Sequence, residues 1–123
     1  MYLTGGENSG SQWDKTSETV TISPPNAQFG PFLGTPLRGH CAVYINGRII
    51  LTGGWYKRKN VMSINADNGE ISYMSNTTSD HVHHGCASFS NGNKSFVVVA
   101  GNDRTTEILD IEANIWTYGN TSF

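Results

Sequence analysis

Residues 38–54 read "RGHCAVYINGRIILTGG". An apolar run from Cys41 to Ile45 meets Asn46-Gly47, and a second run, Ile49 to Leu51, closes on Thr52-Gly53-Gly54. Asn-Gly between two strand-like runs is the strongest short-range mark of a β-hairpin, because both turn positions need positive φ. The ending is not unique to this place. Leu-Thr-Gly-Gly stands at Leu3 to Gly6 as well as at Leu51 to Gly54, and Val99-Ala100-Gly101-Asn102 is a worn third copy. Gly5, Gly53 and Gly101 are separated by 48 residues and 48 again.

Equal spacing in the range of 20 to 50 residues marks an array of structural units. Other features keep step with the glycines. "GCASFSNGNKSFVVVAGN" repeats the plan of residues 38–54, with Asn91-Gly92 as the turn and a wider loop expected from its extra length. After each glycine pair comes a polar loop and then a second strand pair, within "ETVTISPPNAQFG", "NVMSINADNGEISYM" and "TTEILDIEANIWTYG". Large apolar residues recur seven apart in all three: Ile22 and Phe29, Ile64 and Ile71, Leu109 and Trp116. Between them lies turn-forming text. Each unit therefore reads as two hairpins, or four short antiparallel strands, and the chain as all-β.

Runs such as Ile49-Ile50-Leu51 suit strands covered on both faces. A small sheet that is apolar on both sides cannot cover itself, so copies must stack. The glycine pair ends its strand where the chain turns tightly or a neighbour presses on the backbone. Asn102 in place of the second glycine fits a left-handed position, which Asn tolerates best after Gly.

Composition narrows the function. Only 15% of residues are charged, the net charge is -2, and Lys and Arg form no long block. Nucleic-acid binding needs a clustered basic face and is not indicated. No apolar run approaches the roughly 18 residues of a membrane span, and no secretory signal stands at the start. The compartment stays open. Sequons at Asn76, Asn93 and Asn120 are no more than an Asn-, Ser- and Thr-rich sequence yields by chance.

"DHVHHGC" (Asp80 to Cys86) is the most metal-like stretch. In an extended chain His81 and His83 point to one side and His84 to the other. Two imidazoles so spaced could serve zinc or copper, but no third ligand is identifiable on that side, and the stretch reads as a polar loop entering a strand. No metal or cofactor is expected. Cys41 and Cys86 occupy equivalent points of neighbouring units and read as buried, reduced residues, since radial sheets rarely bring such Cα atoms within the about 7 Å a bridge requires. No Ser-His-Asp order, phosphate-cradling loop or facing carboxylate pair is present.

These residues resemble kelch repeats, the units of β-propellers. The resemblance rests on "RGHCAVYINGRIILTGG" with the following "WYKRKNVMSINADNGEISYM", and on "TTEILDIEANIWTYG", whose Asp110 to Trp116 looks like the family's Tyr-Asp…Trp ending. It departs at Leu109 for the usual Tyr, at Ile71 and Phe29 in the Trp slot, and at Asn102. The resemblance implies structural roles for Gly5, Gly6, Gly53, Gly54, Gly101, Asn102 and Trp116, and a packed role for His40. It implies one partial propeller domain in three parts: a blade lacking its inner strand over 1–37, and complete blades over 38–83 and 84–123. Met1 falls in register with Ile49, in mid-strand, so the chain reads as a propeller fragment. Further blades in a longer chain, or copies of this one, would cover its ends.

Function is expected at the loops. The segment after the glycine pair shortens from "ENSGSQWDKTS" to "WYKRKN" to "DRT" while the scaffold spacing holds, which is how a recognition surface varies. In the family these loops share a face with the connections between blades. Trp13, Trp55, Tyr56 and Arg58 are of types that dominate binding hot spots, and with His81 and His83 they form the expected partner-binding set. The reading is a protein-interaction module for a protein or peptide. Contexts the family suggests are ubiquitin-ligase recruitment, actin association or secreted adhesion. The alternative is a propeller enzyme, either a galactose-oxidase-like copper oxidase or a sugar isomerase. Tyr44 and Cys41, three apart on one strand, point to opposite faces, which argues against the Tyr-Cys linkage that a copper oxidase needs.

Overall fold

The computed structural model describes residues 2–4, 17–22, 25–29, 38–55, 57–101 and 105–119. Among them every regular element is a strand, and no helix is long and apolar enough to cross a membrane. Three antiparallel sheets follow one another along the chain. The first holds β1 (Tyr2–Thr4), β2 (Ser17–Ile22) and β3 (Pro25–Phe29). The second holds β4 (Cys41–Ile45), β5 (Arg48–Thr52), β6 (Val61–Asn65) and β7 (Ile71–Tyr73). The third holds β8 (Gly85–Asn91), β9 (Lys94–Ala100), β10 (Thr106–Asp110) and β11 (Ile115–Tyr118). In each, strands pair in chain order.

Turn chemistry sets the registers. Asn46 and Gly47 take φ of 50° and 74° between the paired Ile45 and Arg48, the two-residue turn whose twist matches its strands. The hairpin β8–β9 was expected to carry a wider loop, and it does not. Its strands lengthen instead until Asn91 pairs with Lys94, leaving Gly92 (φ 64°) and Asn93 as a two-residue turn. The extra residues extend the ladder, where their backbone groups find partners. Farther out, Ile64 pairs with Ile71 and Leu109 with Trp116, the seven-residue pairs of the repeat. The first sheet departs from that pattern: Phe29 pairs with Glu18, and Ile22 with Pro25. A shorter connection after β2 shifts its register.

The second and third sheets pack face to face. Ile45, Ile50, Val61 and Met74 meet Val97, Val99, Leu109 and Ile111 in one buried cluster, with Val43, Cys86 and Trp116 at its margin. Fully burying a Val, Leu or Ile contributes about 1.5–3 kcal/mol, against about 0.5–1.5 kcal/mol net for a hydrogen bond. This cluster therefore dominates the join. Ile49, Leu51, Met62 and Ile64 form a second cluster on the other face of β5 and β6. Both faces of β5 are buried, as its unbroken apolar run requires.

One expectation is overturned in this join. Cys41 and Cys86 are disulfide-bonded, with Cα atoms 6.0 Å apart. Strands β4 and β8 lie close enough for equivalent residues to be bridged. Radial spreading had suggested a gap; between these two strands there is none.

Candidate functional site

The glycine pair after β5 builds the site. Gly53 has φ of 66°, and a Cβ there would lie 2.2 Å from the carbonyl oxygen of His81 and 2.8 Å from the His84 ring. Gly54 has φ of 111°, and its N–H donates to the His81 carbonyl at 2.9 Å. Both sequence-derived reasons for glycine hold at once: positive φ and a backbone pressed against it. The chain from Asn76 to His84 lies on this corner, beside the loop 55–60.

The two segments are tied through the backbone. His81 N–H donates to the Arg58 carbonyl at 2.9 Å, Thr77 N–H to that of Lys59 at 3.0 Å, and His83 N–H to that of Gly39 at 2.7 Å. Trp55 N–H donates to the Arg38 carbonyl at 2.9 Å, and Asn60 N–H to that of Lys57 at 3.1 Å. Trp55, Arg58 and Lys59 are thus each tied to a neighbouring segment by a bond that does not depend on side chains.

Trp55, Lys57 and Lys59 are exposed, and Arg58 and Asn60 are half-buried. Trp55 is 38% exposed, its indole N–H donates to His83 Nε2 at 2.9 Å, and the two rings meet edge to face. The Arg58 guanidinium carbon sits 4.7 Å from the Trp55 ring centroid, a cation–π contact. Trp55, Lys57, Arg58, Lys59, Asn60, Asn76 and Asp80 line a cleft of about 460 Å3.

Beneath the cleft lies a buried polar layer. His81 and Glu107 have no exposed surface, and His81 Nε2–H donates to Glu107 Oε2 at 2.6 Å. The same carboxylate accepts from the N–H groups of Thr78 and Ser79 at 2.7 and 3.1 Å. Burial pushes the Glu107 carboxyl up, but the bond from His81 and those backbone N–H groups outweigh it and hold it below the usual range. His84 Nε2 lies 2.8 Å from Thr52 Oγ1. Burial, with the neighbouring His81, His40 and His83, lowers its pKa to about 4, so its ring is neutral at pH 7.

The structure thus separates the expected binding residues. Trp55, Arg58 and His83 come together at the surface. His81 does not join them: it is enclosed against Glu107 and His84, and its work is to hold the third sheet to the loop. The alternation expected of "DHVHH" also fails. His83 takes φ of 51°, which breaks the extended path and places His81 and His84 together, ring centroids 5.4 Å apart, with His83 turned to Trp55. Trp13 and Tyr56 lie outside the described residues, as do Gly5, Gly6 and Asn102. Gly101 has φ of 114° and passes 3.5 Å (from its ideal Cβ) from His84 Cα. Trp116 donates its indole N–H to the Ser75 carbonyl at 2.8 Å and packs on the core between the sheets. Asn76 and Asn93 are exposed. The sequence reading missed Lys59, Asn60, Asn76 and Asp80, whose joint lining of one cleft comes from the backbone ties between two distant loops.

No family model matches the chain, and no curated protein matches it. Among solved structures it is similar to a fungal alcohol oxidase of the AA5 family, determined in complex with copper. The TM-score is 0.59 at 18% identity, over 94% of this chain and 27% of that one. This chain thus spans about a quarter of that enzyme, and the likeness concerns the arrangement of sheets. The described residues offer no ligand set for copper. Among the described residues no three His, Cys, Asp or Glu side chains converge as ligands. Nε2 of each of His81, His83 and His84 has a protein partner, whereas Nδ1 of His81 and His84 is buried without one. Cys41 is bonded to Cys86, and Tyr44 shares the opposite face of the sheet with Ile49 and Ile64.

Proposed function

We propose that the three sheets are blades of a kelch-type β-propeller fragment that holds a protein or peptide partner in the cleft between Trp55 and Asp80. The observation that carries this reading is the pairing of exposed Trp55 with half-buried Arg58 on a loop anchored through its backbone. Exposed aromatic and Arg side chains on a fixed support are what interface hot spots are made of. A rigid loop also loses less entropy on binding.

Kelch-like assembly is supported by the 48-residue repeat, the meander order of each sheet and the apolar join between two of them. The far face of the third sheet supports it too. Phe89, stacked on Phe96 at 5.0 Å, and Ile115 are 44% and 58% exposed there, and a further blade or a second copy would cover them. The Cys41–Cys86 bridge favours an oxidising compartment, and so the secreted among the kelch contexts. Alcohol oxidation is the reading that the oxidase likeness brings, and the described residues offer it no ligand set.

Selection of peptides from a displayed random library against the immobilised chain tests the reading. Enriched peptides should lose binding to the Trp55→Ala, Arg58→Ala double variant, while its melting temperature stays that of the parent. Enrichment of nothing, or binding indifferent to the double variant, would overturn it.

A further inference from the structure

We infer that the cleft selects an acidic peptide segment, with one carboxylate seated on Arg58. This rests on the peptide-binding reading above and adds the chemistry of the ligand. Lys57, Arg58 and Lys59 line the cleft with donors alone, Asn60 and Asn76 add amide N–H groups, and Asp80 is the single carboxylate. Donors exceed acceptors, so the complementary ligand brings acceptors and negative charge. Among the described residues, neither Arg58 nor Lys59 has a carboxylate within ion-pair distance.

Arg58 is arranged for this task. Its guanidinium is held over the indole of Trp55, and contact through the ring face leaves the in-plane N–H groups to grip a carboxylate with two bonds. The Arg58 carbonyl is fixed by His81 N–H, and that of the next residue by Thr77 N–H, so both neighbouring cations project from a set backbone. Asp80 lines the same cleft from the 76–84 segment and sets polarity: acidic residues of the ligand lie toward Arg58 and Lys59, and a neutral or basic one toward Asp80.

Other anions fit less well. Nucleic acid needs cations along a phosphate track, whereas these occupy three consecutive positions on a chain of net charge -2. A sulfated sugar would use the indole as a stacking platform, but Arg58 lies over the ring and His83 meets its edge.

The test uses the full chain and four probes: a labelled Gly-flanked hexaglutamate peptide, its hexaserine and hexalysine counterparts, and a sulfated oligosaccharide. Fluorescence anisotropy should show the glutamate peptide bound most tightly, with affinity falling as salt rises. Lys59→Ala and Arg58→Ala should each weaken it by about tenfold, near 1.4 kcal/mol, and Asp80→Asn should tighten it. Lys59 is exposed, so its variant stays informative if Arg58→Ala disturbs the loop. Equal binding of the serine peptide, tighter binding of the sulfated sugar, or indifference to Lys59→Ala and Asp80→Asn would overturn the inference. Library peptides free of Asp and Glu that still need Trp55 and Arg58 would sink it while leaving peptide binding intact. A library that enriches nothing would sink the wider reading instead.

Discussion

His81 Nε2 donates to Glu107 Oε2 at 2.6 Å, with both side chains fully enclosed. The bond runs from the loop that follows the second sheet to a strand in the middle of the third. Glu107 also receives the Thr78 and Ser79 N–H groups, so one carboxylate fixes three donors of the segment that walls the cleft.

Glu107→Ala should therefore be among the most destabilising single changes. Removing the carboxylate leaves the buried His81 Nε2–H unpaired, which costs about 1–3 kcal/mol, and also releases the Thr78 and Ser79 N–H groups. Urea unfolding should show the midpoint falling with little change in slope. A loss within about 0.5 kcal/mol, the range of an ordinary surface change, would show that the carboxylate is dispensable.

Stability should also fall in mild acid. His84 is shifted down from 6.5 to about 4 in the folded chain, so between those values the unfolded state binds more protons. Its contribution is complete above pH 6.5 and is lost as pH falls toward 4, to a maximum of about 3 kcal/mol at 1.36 kcal/mol per unit. Glu107, also shifted down, adds a second loss below its ordinary value of 4.5. In His84→Gln the first slope should disappear and the second remain. A wild-type melting temperature flat from pH 7 to 5 would contradict the buried neutral imidazole.

Two glycines separate strain from crowding. Gly47 has φ of 74° and open space around a would-be Cβ, so Gly47→Ala carries only the left-handed penalty of about 1–2 kcal/mol. Gly53→Ala adds overlap with the His81 carbonyl and should cost at least about 3 kcal/mol. It should also disturb the cleft, because the 76–84 chain must move. Equal melting temperatures for the two variants would mean that the corner is looser than its geometry.

Much of the fold was legible in the sequence because turns and strand periods are local. The Asn46-Gly47 turn and the pairs Ile64–Ile71 and Leu109–Trp116 stand where the repeat puts them. What escaped depends on how one sheet meets another. Nothing in the spacing of Cys41 and Cys86 says how close β4 and β8 approach. The enclosure of His81 depends on Glu107, 26 residues later. A single left-handed residue, His83, exchanged the sides of its neighbours; His is among the types enriched there, but residue type does not say which of three nearby histidines takes that conformation. At the site, the sequence marked Trp55, Arg58 and His83 by type, whereas Asn76 and Asp80 reach the cleft through bonds between loops.

Stacking of equivalent strands from successive repeats is the claim on which the rest stands, and the cysteines report on it directly. The bridge closes a separation of 45 residues, and loop entropy sets its contribution at about 4 kcal/mol. Peptide mapping of the air-oxidised chain under non-reducing conditions should recover one cross-linked pair containing Cys41 and Cys86, with no thiol left to alkylate. Recovery of both cysteines as singly alkylated peptides from the folded, unreduced protein would place β4 and β8 apart and contradict the account.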